Sequence, residues 1–199
     1  TSDPLLVSPI AVTDTGASKW VVPGVADLQS GFANWQTDMR VFNAGTEDVP
    51  ATLSYYSITG GAPKSVDVII PAGRVQQFDR PLSALFGVTG DAGALHLSTA
   101  GPARLVATAR TYNSTSNGTY GQFISAVTAG EAAGVDSRPL QLLQVEQSDR
   151  FRTNVGLAEV TGNPVTIEIS VVPPDGKVTA VTEMTLGANE FRQLNSLLA

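Results

Sequence analysis

The 199-residue chain has a single histidine and no cysteine, which narrows the chemistry at once. His96 lies in Gly93-Ala-Leu-His-Leu-Ser-Thr99, alternating with Leu95 and Leu97. On a strand this places it on the face opposite the core, so an exposed strand residue is expected. One histidine without cysteine cannot build an ordinary zinc centre unless several carboxylates join it. No Gly-x-Ser-x-Gly or Ser-x-x-Lys motif occurs, so acyl transfer by the familiar nucleophiles has no support. No two glycines are separated by a single residue and no P-loop is present, which removes the dinucleotide fingerprint and the nucleotide cradle.

The acids and aromatics leave more open. Glu47 and Asp48 adjoin in a turn-like stretch and read as solvated. A carboxylate pair for glycoside hydrolysis stays open, because acids distant in sequence can meet in a fold. Asp14, Asp27, Asp38, Asp79 and Asp91 fall near expected strand ends, where clustered oxygens could hold calcium. No Asp-x-Asp-x-Asp loop joins them, and neither a metal nor another cofactor is expected. Asn113-Ser-Thr115 and Asn117-Gly-Thr119 match the glycan-acceptor pattern but read as turn residues in a bacterial protein. Trp20, Trp35, Tyr55, Tyr56, Tyr112 and Tyr120 could stack a sugar if several point outward from one sheet. Tyr56 alternates away from core-facing Tyr55, and Tyr56, Trp20 and Tyr120 are the candidate ligand contacts. Trp35 is expected in the core. The competing reading for all of these aromatics is core and edge packing.

Composition limits partners. The chain is 42% hydrophobic and 15% charged, with a formal charge of −6, three lysines and nine thinly spread arginines. No basic stripe exists to neutralise phosphates, so neither nucleic acid nor an anionic membrane surface is an expected partner. No apolar run approaches the roughly 20 residues that cross a bilayer, and no membrane insertion is expected. The absence of cysteine gives no evidence for or against an oxidising compartment. The first residue is Thr1, which suggests a processed product or part of a longer protein.

Elements that would position these groups come from a repeat. Offset by about 116 residues, the chain matches itself, as tandem copies of one module do. Trp-Gln-Thr-Asp-Met-Arg-Val-Phe from Trp35 recurs as Phe-Arg-Thr-Asn-Val-Gly-Leu-Ala from Phe151. The stretch from Val49 recurs from Asn163, and that from Ile70 recurs from Leu186. In both copies apolar and polar residues alternate, as strands with one buried face require. Turns are marked by Asn43-Ala-Gly45, Pro71-Ala-Gly73, Asn117-Gly118 and Pro173-Pro-Asp-Gly176. One short helix is expected at 81–86, with Leu82, Leu85 and Phe86 on one face and Pro81 opening it. Its counterpart would begin at Asn195.

The copies differ in completeness. Residues 26–127 read as a whole unit, 128–138 as a small-residue linker, and 139–199 as the front half of a second unit. The segment from Ser8 to Val25 resembles the back half, so N-terminal strands in 5–25 are expected to complete the second unit in cis. Closing a loop of roughly 115–190 residues costs only about 4–5 kcal/mol, which burial of a strand pair offsets at about 25 cal/mol per Å². A monomer closed in this way is favoured, and a strand-exchanged dimer is the alternative.

The elements Trp-Gln-Thr-Asp-Met-Arg-Val-Phe-Asn-Ala-Gly from Trp35, Ile70-Pro-Ala-Gly73 with the Leu-rich helix after it, and the hairpin from Arg110 to Ile124 resemble β-repeat modules of multidomain secreted or cell-surface bacterial proteins. The resemblance covers nearly the whole chain. It implies an all-β fold of two tandem Ig-like antiparallel β-sandwiches, one short helix per repeat, and a secreted or surface location. It carries over no catalytic or binding residues. The second copy departs from the pattern at Gly187-Ala-Asn189, which stands in place of Pro-Ala-Gly. The functional expectation is a non-catalytic structural, adhesion or interaction module with a protein or glycan partner. The alternative is a carbohydrate-binding accessory domain of a secreted enzyme.

Overall fold

Alternation in the sequence becomes alternation in burial: from Thr37 to Val41 every second side chain is enclosed, while Arg40 lies only partly covered. The computed structural model describes residues 16–31, 33–135, 137–143, 145–173, 175–178 and 180–195. Its strands are β1 (Ala17–Ser30), β2 (Ala33–Asn43), β3 (Val49–Ser57), β4 (Lys64–Ile70), β5 (Val75–Asp79), β6 (Asp91–Ala103), β7 (Leu105–Thr115) and β8 (Gly118–Ser125), with helix α1 (Pro81–Phe86) before β6. Then come β9 (Val155–Ala158), β10 (Val165–Val171), β11 (Ala180–Leu186) and β12 (Phe191–Leu194). The fold is all-β.

Strands β1 to β8 form one hydrogen-bonded sheet in the order β4-β3-β6-β1-β2-β7-β8, with β5 also on β2. The sheet turns over at β1: Ala17–Asp27 pair with β6, whereas Leu28–Ser30 pair with β2. The two limbs share one apolar core. Trp20, Val22, Leu53, Tyr55, Leu95 and Leu97 enter it from one limb, and Met39, Val41, Phe78, Ala107 and Ile124 from the other. Each fully enclosed Leu or Val stabilises by about 1.5–3 kcal/mol relative to exposure. The helix lies where expected, with Leu82 and Phe86 buried, but Leu85 is 39% exposed. Six residues make too short a helix to bury a broader stripe.

β1 runs straight through the boundary expected between residues 25 and 26. Trp20, Val22 and Val25 all supply side chains to the main core, so the strand belongs to the same sheet and core on both sides of that boundary. A register shift falls between Pro23 and Val25, where Pro23 offers no ladder N–H and Gly24 takes φ 81°. The rest of the expected N-terminal strands, before Gly16, lies outside the described residues, as do positions 196–199 of the expected second helix.

Close approach of backbones fixes Gly93 on β6, opposite Ser57. A Cβ there would run into the carbonyl oxygen of Tyr56. Gly93→Ala is therefore expected to cost about 3 kcal/mol, at the upper end of overpacking penalties. Thermal melting of the variant checks this, and an unchanged midpoint would contradict the packing described.

The C-terminal ladders repeat the first unit's registers residue for residue. Phe42 pairs with Val75 and Met39 with Phe78 on β2–β5, while Ala158 pairs with Phe191 and Val155 with Leu194 on β9–β12. Val49 pairs with Ile70 on β3–β4, and Val165 with Leu186 on β10–β11. One constant offset relates every pair, and it corrects the sequence match of Val49 with Asn163 by two residues, since Val165 takes the place of Val49. The intervening turn is kept too. Asn43 N–H donates to Arg74 C=O, and Glu159 N–H to Glu190 C=O. Gly73 has φ 62° and its counterpart Asn189 φ 57°. Asparagine is one of the few side chains that tolerates this left-handed region, so the departure from Pro-Ala-Gly leaves the turn intact. Among the described residues, β9 pairs with β12 alone and β10 with β11 alone.

Candidate functional site

The C-terminal segment lies on the outer face of β1 and β6, and the contact encloses a cluster of polar groups. Val21 and Ala94 form a second apolar cluster with Val160 and Phe191, flanked by Ala132 and Ala158. His96 stands on this outer face, opposite Val21 on one side and Ser54 on the other. It points away from the main core as expected, yet it is only 3% exposed. The expectation of exposure fails because the outer face of β6 is covered. The Tyr56 ring lies over the imidazole, with centroids 4.3 Å apart. Neither ring nitrogen has a hydrogen-bond partner.

Charged groups surround this histidine. Lys19 Nζ donates to Asn189 Oδ1 at 2.6 Å, joining β1 to the turn before β12. The buried Glu159 carboxylate accepts from Thr161 N–H and Oγ1, both at 2.5 Å, and from the N–H groups of Gly162 and Asn189, both at 2.8 Å. Burial pushes the His96 imidazole down to about 3; the nearby Lys19 ammonium adds to this and Glu159 opposes it. Burial likewise lowers Lys19, with Glu159 acting in the opposite sense. For Glu159, burial alone would raise the carboxyl, but the hydrogen bonds from Thr161, Asn189 and Gly162 outweigh it and bring the group to about 2. The arrangement buries a neutral imidazole within electrostatic reach of an ammonium and a carboxylate. Ser54, the hydroxyl across from His96, is hydrogen-bonded to Ser65 Oγ instead. What the cluster can do is join the two parts of the chain and respond to acid.

The expected aromatic contacts do not come together. Trp20 is 4% exposed and belongs to the main core, so it presents no face to a ligand. Tyr56 is half-buried against His96. Tyr120 is 61% exposed and meets the half-buried Trp35 edge-to-face, with centroids 6.5 Å apart. Trp35 therefore sits at the open end of the sheet rather than in the core, unlike Tyr55, which is buried.

The aspartates also separate. Asp27 accepts both Arg80 Nη2 and Ser83 Oγ, Asp79 accepts Arg40 Nη2, and Asp91 accepts Ser57 Oγ. Asp38 accepts the Arg80 backbone N–H, and Asp14 lies outside the described residues. Among the described residues no three potential metal ligands cluster. Asn113 is buried within β7 rather than in a turn, accepting from Asn34 N–H and donating to Tyr120 Oη. Asn117 is exposed in the hairpin turn. Glu47 and Asp48 are exposed, and Asp48 accepts from Ala72 N–H.

Lys19, Glu159 and Asn189 escaped the sequence reading. The repeat held a signal for Glu159, because the offset sets it on Asn43, whose side chain organises the equivalent turn through Gly45 N–H. Nothing in the sequence places Lys19 beside them.

No protein-family model matches the chain, and no curated protein matches it. The crystal structure of Thermotoga maritima 1070 is similar, with a TM-score of 0.46 and 15% identity, over 56% of this chain and 94% of that one.

Proposed function

We propose that the chain is a non-catalytic structural and interaction module of a larger extracellular bacterial protein, built from tandem Ig-like β-units. The supporting observation is the joint. Phe191 and Val160 of the C-terminal segment bury against Val21 and Ala94, and Lys19 hydrogen-bonds Asn189 across the same contact. An apolar contact closed by polar pairs holds successive units at a fixed angle, which a spacer or a presenting arm requires. Repetition of one ladder register by two segments fits a module multiplied along a chain.

The test uses the absence of cysteine. Spin labels placed through Gln77→Cys and Thr182→Cys, both on exposed positions, report the distance across the joint. A narrow distribution is expected, and Phe191→Ala should broaden it several-fold. A broad distribution in the parent would sink the spacer reading. Carbohydrate binding is the second reading and rests on the Trp35–Tyr120 pair alone. Stacking there predicts that soluble glycans quench tryptophan fluorescence and that Tyr120→Ala abolishes the effect.

A further inference from the structure

We propose that the C-terminal half-unit is a docking site for two consecutive strands of the β6–β7 type, supplied by a further unit of the same repeat. This rests on reading residues 139–195 as part of a second unit, and it names what that unit binds. The first unit shows what covers the equivalent surface. There β3 carries β4 on one edge and β6 on the other, from Thr52 opposite Ser98 to Ser57 opposite Gly93. β2 carries β5 on one edge and β7 on the other. The counterparts β10 and β9 keep β11 and β12 in the same registers, and no second ladder runs along either among the described residues.

Side chains at core positions agree. Just ahead of β9, Leu140, Leu142 and Leu143 are 79%, 62% and 83% exposed. Phe151, the counterpart of half-buried Trp35, is also exposed. Ile169 takes the place of enclosed Leu53 but is only partly covered. A strand edge with an apolar face is a template for another strand, and proteins otherwise blunt or cover such edges.

The registers also fix the chemistry of the occupant. In the first unit the covering residues are Leu95 and Leu97 from β6, backed by Ala107 and Ala109 from β7. The partner is therefore a leucine-alternating strand and the strand of small residues that follows it, which in the first unit add to β3 and β2 and do not pair with each other. The leucine strand would lie antiparallel along Glu168–Ser170 of β10, as β6 does along the equivalent part of β3.

The experiment extends the full chain after Ala199 with a second copy of its own residues 84–127, which continues the repeat in phase. Amide hydrogen exchange of 165–170 and proteolysis within 139–145 are followed in parent and extended chains. The extended chain is expected to gain at least ten-fold protection at both places. Leu95→Asp with Leu97→Asp in the appended copy should abolish the gain while the first unit's amides stay protected. No gain from the wild-type extension would overturn the proposal. So would protection already present in the parent that disappears when residues 1–15 are deleted, which would identify those residues as the cover. Protection that rises with protein concentration would point to a second copy and would equally overturn it. None of these outcomes bears on the spin-label distances, so the two readings fail separately.

Discussion

At pH 5 the His96→Leu variant is expected to be more stable than the parent, although the substitution removes a buried aromatic stack. The imidazole is enclosed with both nitrogens unpartnered, so folding holds it neutral, with its proton affinity lowered to about 3. In the unfolded chain it takes a proton near 6.5. Between those values the unfolded state binds the extra proton, so stability falls as pH drops. His96 therefore contributes fully above about 6.5, and its contribution is lost progressively as pH falls toward 3. At about 1.4 kcal/mol per pH unit, the loss by pH 5 is about 2 kcal/mol.

Other groups facing the ring are Lys19 and Glu159, with Tyr56 and Ser54 from β3. Lys19 stays charged and the two hydroxyls stay neutral across this window. Glu159, lowered to about 2, contributes stability above its unfolded value of 4.5 and loses it only below that. The interval from 6.5 to 4.5 thus isolates the histidine at this joint. Calorimetric midpoints at pH 7, 6 and 5 should fall for the parent and stay nearly level for His96→Leu. Parallel falls in the two proteins would show that His96 does not set the acid response. Leucine also removes two buried orphan nitrogens, each carrying a desolvation penalty of about 1–3 kcal/mol.

His96 shows where sequence reasoning stops. Period two places it correctly on the outer face of β6, because alternation is a property of the strand alone. Whether that face is wet depends on a segment more than sixty residues away, docked through Phe191 and Val160, and no local pattern encodes that contact. The same limit explains Trp20. Its strand was legible, but not its partner, since pairing of β1 with β6 is a non-local choice. Repeat matching reached further than periodicity: it aligned Trp35 with Phe151 and Ile70 with Leu186 before any ladder was seen, and the ladders keep that offset. Its match of Val49 with Asn163 is two residues short of the Val165 that the ladders set there. It also set Glu159 on Asn43. What it could not show is that different side chains solve the same turn.

That substitution yields the second large effect. Glu159→Ala is expected to cost about 3–5 kcal/mol locally, because it strips one acceptor from three backbone N–H groups, those of Thr161, Gly162 and Asn189. Each partly buried donor left unpaired costs about 1–3 kcal/mol. The loss should appear as faster amide exchange at Phe191–Leu194, where β12 leans on this turn. Glu159→Asn separates the turn's geometry from its charge. In the first unit Asn43 Oδ1 accepts from Gly45 N–H, and its Nδ2 donates to the carbonyls of Glu47 and Ile70. Asparagine at 159 should therefore restore most of the exchange protection lost in the alanine variant. It carries no ionisable group, so the further loss of stability that the parent suffers below pH 4.5 should vanish with it. If Glu159→Asn is as damaged as Glu159→Ala at neutral pH, the two turns are not equivalent and the shared ladder register is a coincidence of spacing. If it recovers yet keeps the acid limb, that limb belongs to another carboxylate.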